Sequence, residues 1–341
     1  MIKVLIVDDS ILIRKMIKDM LSDVGDIEII GEARDGLDAL DKIKTFKPDV
    51  VLLDYEMPGL NGIEVLKRIM KENPIPVIMF SAYSREGSYV ALKSLELGAF
   101  DYMLKPNYIG EKVKWFDVKK NLIKKIKNAS KVSVDVLLRK YLVKERKEFV
   151  KIQGIKVIGI GASTGGPKVI KYILSSLPLM DLTIFVVQHL PPGFENYFKS
   201  YLESDVSWKV KVAQDGEEIK KGFVYIPKSG LHIKVSGGKI LYEEGEPVNG
   251  VMPSVDVLFE SLVDEYSGEV LGVVLTGMGR DGGMGALKIK EYGGEVIIQS
   301  PDTCVVPSMP LYVKKLLKNV KILPPEKIPE EIVRICQNKS N

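Results

Sequence analysis

A serine between glycines, in the second half of the chain, could act as a nucleophile. Ser163 lies within 161–165, a glycine-x-serine-x-glycine spacing that follows an apolar stretch and precedes a helix pattern. Glycines around a serine permit a sharp turn and leave the hydroxyl exposed at the start of a helix. There the amide of Thr164 could point at a developing oxyanion. The segment therefore predicts a nucleophile for acyl transfer.

Two other interpretations of this segment stay open at this point. Gly159, Gly161 and Gly165 also form a loose dinucleotide-binding loop, and an ordinary helix capped by serine would give a similar pattern. A dinucleotide site expects Asp or Glu at the end of the following strand, where this chain has Gln188 and His189.

His189 is the preferred candidate for the base that a serine nucleophile needs. The chain has only two histidines, and His189 ends the strand pattern after the Ser163 unit. Neighbouring parallel strands would bring Ser163 and His189 to the same rim, and imidazole has a suitable pKa for proton transfer. The other histidine, His232, lies in a predicted β segment, where a cleft or structural role is favoured.

A third group must orient the imidazole and stabilise its charged form. The best candidate is Asp281, in the glycine-rich segment 275–286, where the Met278 amide could supply a second oxyanion donor. Asp256 and Asp215 are alternatives, although Asp256 opens a helix pattern and Asp215 lies in a predicted turn. The order Ser, His, Asp along the chain differs from that of α/β-hydrolases.

A second set of polar side chains follows strands in the first third of the chain. Asp8 and Asp9 end the first predicted strand, and Asp54 ends the third. Three adjacent carboxylates repel one another unless a hard cation lies among them, so the cluster predicts Mg²⁺ with oxygen ligands. Ser81 ends the fourth strand and Lys105 follows the fifth, where a hydroxyl and an ammonium could bind a phosphoryl group.

Parallel sheets are the elements that would gather these side chains. Residues 1–127 alternate short apolar runs with amphipathic stretches, which predicts five βα units in a doubly wound sheet. A second alternation begins at Ile155, with strand and turn patterns but no clear helix between Lys209 and Tyr242. The predicted fold class is α/β: a doubly wound (βα)5 domain, then a second doubly wound, mostly parallel domain.

Composition separates the two domains by a basic linker. Residues 112–151 hold 14 Lys/Arg against 4 Asp/Glu, while the net charge of the whole chain is only +4. We predict domains at 1–127 and 153–341 and a linker at 128–152, helical over Val134–Val143. No nucleic-acid-binding motif accompanies the basic segment, and docking onto an acidic partner is the alternative to a solvated linker. Two cysteines and no apolar run of bilayer length favour the cytoplasm without membrane insertion.

The first domain resembles the receiver domain of two-component response regulators. The likeness rests on LIVDDS at 5–10, LLDYEMPGLNG at 52–62, FSA at 80–82 and YMLKP at 102–106. It implies that Asp54 accepts the phosphoryl group, with Asp8, Asp9 and the backbone of Glu56 binding Mg²⁺. It further implies that Ser81 and Lys105 sense the phosphate, that Tyr102 changes rotamer, and that the Lys105–Pro106 peptide is cis.

The second domain resembles the catalytic domain of chemotaxis protein-glutamate methylesterases. The likeness rests on GASTGGP, VVQHLPPGF, MPSVDVLF, LTGMGRDG and TCVVPSMP, spread between about 155 and 318. It implies Ser163, His189 and Asp281 as the catalytic triad, with Thr164 and Met278 at the oxyanion site and no cofactor there. The implied substrates are methyl-esterified glutamates and certain glutamines of chemoreceptors, and the implied phosphodonor is a chemotaxis histidine kinase.

Three functions from different classes follow from these patterns. The leading hypothesis is a hydrolase whose Ser163 cleft is covered by the unphosphorylated receiver and uncovered when Asp54 is phosphorylated. A non-catalytic adaptor that docks on receptors and a nucleotide-binding oxidoreductase are the rivals. A fluorophosphonate probe separates them, because only the hydrolase should be labelled at Ser163.

Overall fold

The chain folds around two separate parallel sheets. The computed structural model describes residues 1–81, 85–105, 115–143 and 149–337, with side chains at all of them except 81, 85–89 and 115–117. Its contacts divide it into two units, residues 1–139 and 140–341. Both units are α/β with parallel strands, so the predicted fold class is confirmed.

The first unit is built on five parallel strands in the order β2-β1-β3-β4-β5. Strands β1 and β3 lie side by side at its centre, and the apolar run that forms β3 is buried throughout. The strands are β1 (Ile2–Val7), β2 (Ile27–Ala33), β3 (Val50–Asp54), β4 (Val77–Ser81) and β5 (Asp101–Leu104). The helices are α1 (Ile11–Leu21), α2 (Gly36–Phe46), α3 (Gly62–Glu72), α4 (Arg85–Glu96) and α5 (Trp115–Ala129).

Side-chain caps fix where the helices of this unit begin. Asp35 accepts hydrogen bonds from the amides of Leu37 and Asp38 at the start of α2. Asn61 and Glu64 form a reciprocal capping box at the start of α3. Caps of this kind satisfy amides that have no partner inside the helix. The loops at the carboxyl edge of the sheet therefore end at defined residues.

The second unit is built on seven parallel strands with an added antiparallel hairpin. The strand order is β14-β13-β12-β6-β7-β9-β8. The sheet strands are β6 (Val157–Ala162), β7 (Thr183–Gln188), β8 (Lys209–Val212), β9 (Phe223–Ile226), β12 (Val270–Val274), β13 (Glu295–Gln299) and β14 (Lys321–Leu323), and the hairpin pairs β10 (His232–Ser236) with β11 (Lys239–Glu243). The helices are α7 (Gly166–Ser176), α8 (Glu195–Glu203), α9 (Val255–Tyr266), α10 (Gly283–Glu291), α11 (Ser308–Leu316) and α12 (Ile328–Gln337).

A phenylalanine on α9 anchors this helix to the centre of the seven-stranded sheet. Phe259 is fully buried, and its ring lies against Gly159 of β6 and Gly272 of β12. A Cβ atom at Gly159 would stand 2.6 Å from the Phe259 ring, so only glycine permits this close packing. This aromatic contact thus helps to fix the position of α9 relative to β6 and β12, together with Val255 and Leu262 of the same helix, which pack on Gly161 and Gly159.

Two segments differ from the sequence-based expectations. The linker helix α6 covers only Val134–Leu138, because the backbone leaves the helical conformation at Arg139, where ψ is 122°. The tail beyond residue 319 shows no pattern that sequence reasoning could use, yet it forms β14 and α12. One face of α12 is buried, and its Cys336 carbonyl accepts a hydrogen bond from the Gln153 amide at 2.7 Å.

Membrane insertion was not expected from the sequence. Among the described helices, none combines the length and the apolar character that crossing a bilayer requires.

We expect Phe259→Ala to lower the unfolding free energy of the second unit by about 3–5 kcal/mol, because it leaves a cavity between α9 and the sheet. Hydrogen exchange of the full chain should show faster exchange in β6, β12 and α9. Strands β1 and β3 of the first unit serve as the internal control and should be unchanged. Equal acceleration in both units would contradict the separate cores.

Candidate functional sites

The first candidate site lies in the seven-stranded sheet, between the two neighbouring strands from which the chain continues to opposite sides. Strands β6 and β12 are neighbours at this point, with Gly161 paired to Val274. From β6 the chain proceeds to β7 on one side, and from β12 it proceeds to β13 on the other. The crevice beyond the carboxyl ends of such a strand pair is the usual ligand site of open α/β sheets. Ser163 follows β6 here, and Asp281 lies on the loop after β12.

Backbone contacts fix Ser163 against the loop that follows β12. The Ser163 amide donates to the Thr276 carbonyl at 3.0 Å, and the Gly166 amide donates to the Ser163 carbonyl at 2.8 Å. Gly277 approaches so closely that a Cβ atom there would lie 2.9 Å from Ser163 Cβ. Gly165 has a φ of +80°, in the left-handed region, directly before α7 begins. The serine hydroxyl therefore sits on a tight turn at a helix start.

His189 lies beside this turn because β6 and β7 are in register. Ala162 pairs with Gln188, and the His189 amide donates to the Ala162 carbonyl at 3.1 Å. The buried Gln188 side chain then donates to the carbonyl oxygens of both Ser163 and His189, at 3.0 and 3.2 Å. One amide side chain thus joins the two turns. Sequence reasoning used Gln188 only as evidence against a dinucleotide site and missed this contact.

The structure brings His189 and Asp281 together. His189 Nε2 and Asp281 Oδ2 lie 2.9 Å apart, and both side chains are largely buried. Since an ionised carboxylate only accepts, Nε2 carries the proton and Nδ1 is the ring nitrogen left for another partner. Among the described residues, the Ser163 hydroxyl makes no hydrogen bond to His189. In hydrolases without substrate this contact is often long and closes when substrate binds.

Asp281 is held by the first turn of α9. Its carboxylate accepts from the Ser254 hydroxyl at 2.6 Å, the Val255 amide at 2.7 Å and the Asp256 amide at 3.2 Å. Burial would raise the pKa of Asp281, but the hydrogen bond and charge of His189 and these further donors outweigh burial and hold it below its usual value. The carboxylate is only 1% exposed and is ionised at neutral pH.

The other residues considered for the base and the orienting carboxylate make different contacts. Asp256 accepts from the Gly285 amide, and Asp215 accepts from the Tyr242 amide on the hairpin. His232 is buried, with Nε2 against the Glu246 carbonyl at 3.1 Å and Nδ1 accepting from the Ser254 amide at 3.2 Å. His232 therefore supports Ser254, the residue that caps α9 and donates a hydrogen bond to Asp281. No sequence signal pointed to Ser254 apart from its place before a helix pattern.

The two expected oxyanion residues lie on the loops that meet at Ser163. Thr164 is buried, and its carbonyl accepts from the Thr276 hydroxyl at 2.9 Å. Met278 is partly exposed and follows Gly277, whose amide donates to the Val306 carbonyl at 2.8 Å. Both backbone segments are therefore fixed by hydrogen bonds, and the oxyanion role of their amides stays a prediction.

The second candidate site is the acidic cluster at the carboxyl edge of the first sheet. Asp8, Asp9 and Asp54 each offer one oxygen, and these oxygens lie within 4.8 Å of one another. Lys105 Nζ lies 2.7 Å from both Asp8 Oδ2 and Asp54 Oδ1. Asp8 and Asp54 are almost fully buried, whereas Asp9 is exposed. Strands β1, β3 and β5 thus deliver three carboxylates and one ammonium to one edge.

Burial makes the Asp54 carboxylate easier to protonate than an exposed one. It raises the pKa of Asp54 to about 6, against the lowering effect of Lys105, and the charge of Asp8 adds to the rise. Within the described residues, Asp54 Oδ2 is buried without a hydrogen-bond partner. A buried, unpartnered carboxylate oxygen between two further carboxylates suits a hard divalent cation.

The remaining receiver-type residues are placed in part. The Tyr102 side chain is buried, and burial raises its pKa well above the usual value. The Glu56 backbone lies close enough to Asp54 to lower the pKa of its carboxyl slightly. The Ser81 side chain and the Lys105–Pro106 peptide lie outside the described residues. Sequence reasoning missed Arg14, which donates to the carbonyls of Asp8 and Asp9 and steadies the acidic loop.

Together, the acidic edge of a (βα)5 sheet and the His–Asp pair beside a serine turn are the features of a receiver domain joined to a hydrolase domain that is not of the α/β-hydrolase family. Residues 158–332 match the family described as CheB methylesterase, and residues 4–114 match the response regulator receiver domain. The chain belongs to the CheB methylesterase family.

Full-length relatives share this organisation. The protein-glutamate methylesterase/protein-glutamine glutaminase of Archaeoglobus fulgidus is 40% identical over 350 residues, covering 99% of each chain. The relative of the same name from Thermotoga maritima is 40% identical over 339 residues, covering 98% of each chain. The crystal structure of the Thermotoga maritima CheB methylesterase catalytic domain aligns with a TM-score of 0.50 at 40% identity, covering 53% of this chain and 98% of that one.

We expect Mg²⁺ binding to weaken as the pH falls through about 6. The raised pKa of Asp54 means that the folded protein takes up a proton there before most carboxylates do, and the proton competes with the cation. The apparent Kd measured by titration calorimetry should rise by up to about tenfold per pH unit below 6. Asp54→Asn should bind more weakly and lose this pH dependence. An unchanged wild-type Kd between pH 7.5 and 5 would contradict the assignment.

Proposed function

We propose that this chain hydrolyses glutamyl methyl esters on chemoreceptors, releasing methanol, and deamidates receptor glutamines to glutamates under the control of phosphorylation. Membership of a family whose relatives are named for these two reactions supports the chemistry. The observation that carries the proposal is the His189–Asp281 hydrogen bond at the rim next to the Ser163 turn. The catalytic site, as proposed, needs no cofactor.

In the first half of the proposed reaction, Ser163 Oγ attacks the ester carbonyl carbon. His189 Nδ1 takes the hydroxyl proton, because Nε2 already donates to Asp281. The oxyanion that forms is stabilised by the amides of Thr164 and Met278. The tetrahedral intermediate collapses with loss of methanol, which takes the proton from His189 and leaves an acyl-enzyme on Ser163.

In the second half, water replaces the serine. His189 removes a proton from the water as it attacks the acyl carbon, then returns a proton to Ser163 Oγ as glutamate leaves. A glutamine follows the same path, with ammonia leaving in place of methanol. Both reactions require an imidazolium to form and disappear, and the ionised Asp281 stabilises it in both.

The receiver site is proposed to accept the phosphoryl group on Asp54. Asp8, Asp9 and Asp54 would hold Mg²⁺ with the backbone of Glu56, and the cation would neutralise charge on the transferring group. Lys105 already contacts Asp8 and Asp54, so it is placed to pair with the added phosphate. Ser81 and Tyr102 are proposed to relay this change. The phosphodonor is proposed to be a chemotaxis histidine kinase, and the reaction is placed in the cytoplasm.

We expect Ser163→Ala to abolish ester hydrolysis, lowering kcat by at least about a thousandfold, because the nucleophile is gone. The measurement is methanol release from a methylated receptor fragment, with the product glutamates located by mass spectrometry. A fluorophosphonate probe should label the wild-type chain at Ser163 and leave the variant unlabelled.

Ser175→Ala provides the matched control, since Ser175 is a buried serine on α7 that bonds only its own helix. It should keep both activity and labelling. Full activity in Ser163→Ala would refute Ser163 as the nucleophile. A wild-type chain that binds the receptor fragment without labelling or hydrolysis would instead favour the non-catalytic adaptor.

We expect acetyl phosphate with Mg²⁺ to raise the hydrolysis rate of the full chain several-fold. Phosphorylation of Asp54 adds charge beside Lys105 and shifts the receiver surface from one of two conformations towards the other. Asp54→Asn should show the unstimulated rate with and without the phosphodonor. Equal rates for phosphorylated and unphosphorylated wild-type protein would remove the regulatory part of the proposal.

A further inference from the structure

We infer that Asp256 is a positioning residue. Its own carboxylate is a second negative group behind Asp281, and it sets the basicity of His189. This inference rests on the proposed hydrolytic function. It arises from a reciprocal arrangement of two helix starts. Asp281 lies just before α10 and binds the first amides of α9, while Asp256 lies in the first turn of α9 and binds an amide of α10.

Asp256 is almost as deeply buried as Asp281. Its side chain is 3% exposed, and its Oδ1 accepts from the Gly285 amide at 2.8 Å. The fit to α10 is tight, because a Cβ atom at Gly285 would stand 3.1 Å from the Asp256 carbonyl oxygen. Helix starts favour negative charge, so α9 and α10 each stabilise the carboxylate of the other.

Asn249 connects the two carboxylates. Its Nδ2 donates to Asp256 Oδ2 at 2.7 Å and lies 3.4 Å from Asp281 Oδ1. Its Oδ1 accepts from Arg280 Nε at 2.9 Å. Asn249 has a φ of +55°, in a region where asparagine is among the more tolerant side chains. On the exposed loop between β11 and α9, Asn249 is therefore the side chain that contacts both carboxylates.

The donors are shared unequally between the two carboxylates. Asp281 accepts from Ser254, Val255 and the Asp256 amide as well as from His189, whereas the Asp256 carboxylate has the Gly285 amide and Asn249. Two adjacent buried carboxylates repel each other, and the one with fewer donors takes up a proton first. Burial, with the charge of Asp281, accordingly raises the pKa of Asp256 to about 6.

The consequence is that the charge of Asp256, behind the His189–Asp281 pair, changes with pH. Above about pH 6 the ionised Asp256 favours the imidazolium form of His189, and below it this support is lost. The acid limb of the activity should therefore follow two protonations rather than one. The charged groups near Asp256 come from three directions. Asp281 and Arg280 lie on the loop after β12, Glu260 lies on α9 itself, and His189 lies beyond Asp281. From α10, Asp256 faces the Gly285 amide, while Lys288 of that helix pairs with Asp264.

The test is the protonation of His189 in the full chain, followed by NMR of ring-labelled histidine in wild type and Asp256→Asn. The chain has only two histidines, so His232→Gln assigns the signals. We expect the midpoint for His189 to fall by roughly half to one pH unit in Asp256→Asn, the size of a charge effect through one intervening group. The wild-type curve should also show a second inflection near pH 6 that the variant lacks.

Hydrolysis gives the second readout. At pH 8, Asp256→Asn should lower kcat by about threefold with KM unchanged, as expected for a weaker base, and its acid limb should move to lower pH with a one-proton slope. Asp264→Asn removes an exposed carboxylate farther along the same helix, where it pairs with Lys288, and should change neither readout. Asn249→Ala removes a donor from the ionised form of Asp256, so the second inflection should move to higher pH.

The two proposals fail in different ways. An unchanged His189 midpoint in Asp256→Asn would overturn the role of Asp256, whatever the activity. A shifted midpoint in a chain that neither labels with fluorophosphonate nor hydrolyses the ester would keep the coupling and refute the hydrolase. If Asp256→Asn does not fold, Asn249→Ala decides: an inflection near pH 6 that does not move would overturn the inference.

Discussion

The catalytic unit depends on one buried negative charge, the carboxylate of Asp281. Taking an ionised carboxylate out of water is costly unless hydrogen bonds replace its hydration, and here the start of α9 supplies them. Phe259 anchors α9 to β6 and β12, so the helix that solvates Asp281 is fixed to the strands that carry Ser163 and the Asp281 loop. His232 supports the same helix start by accepting a hydrogen bond from the Ser254 amide. The position of the Asp281 carboxylate therefore depends on α9, and the position of α9 depends on its packing against the sheet.

The receiver solves a similar problem in another way. Its carboxylates receive their main compensation from one ammonium, Lys105, rather than from a helix start. An ammonium on a flexible side chain can exchange one anionic partner for another, whereas a row of backbone amides cannot. The first unit is thus suited to changing its charge, and the second to keeping one buried charge constant.

Much of the architecture could be predicted from the sequence, because it rests on local patterns. Buried parallel strands appear as apolar runs, and the polar residues that end or follow them lie at the carboxyl edge. This pattern predicted Ser163 and His189 in their loops and Asp54 at the end of β3. Asn249, Ser254 and Gln188 could not be found in this way. Their partners lie on other elements, and only the packing of α9 and the register of β6 with β7 bring them together.

The ends of the second unit were also beyond sequence reasoning. The tail contains prolines and charged residues that obscure its amphipathic pattern. The contribution of α12 to the core is apparent only in the folded structure, where its apolar face is buried. Because Gln153 bonds to Cys336, the segment entering this unit from the linker and the last helix are fastened to each other. Any shortening of the chain before α12 would thus release the linker attachment as well. For protein engineering, the two boundaries of this unit have to be chosen as a pair.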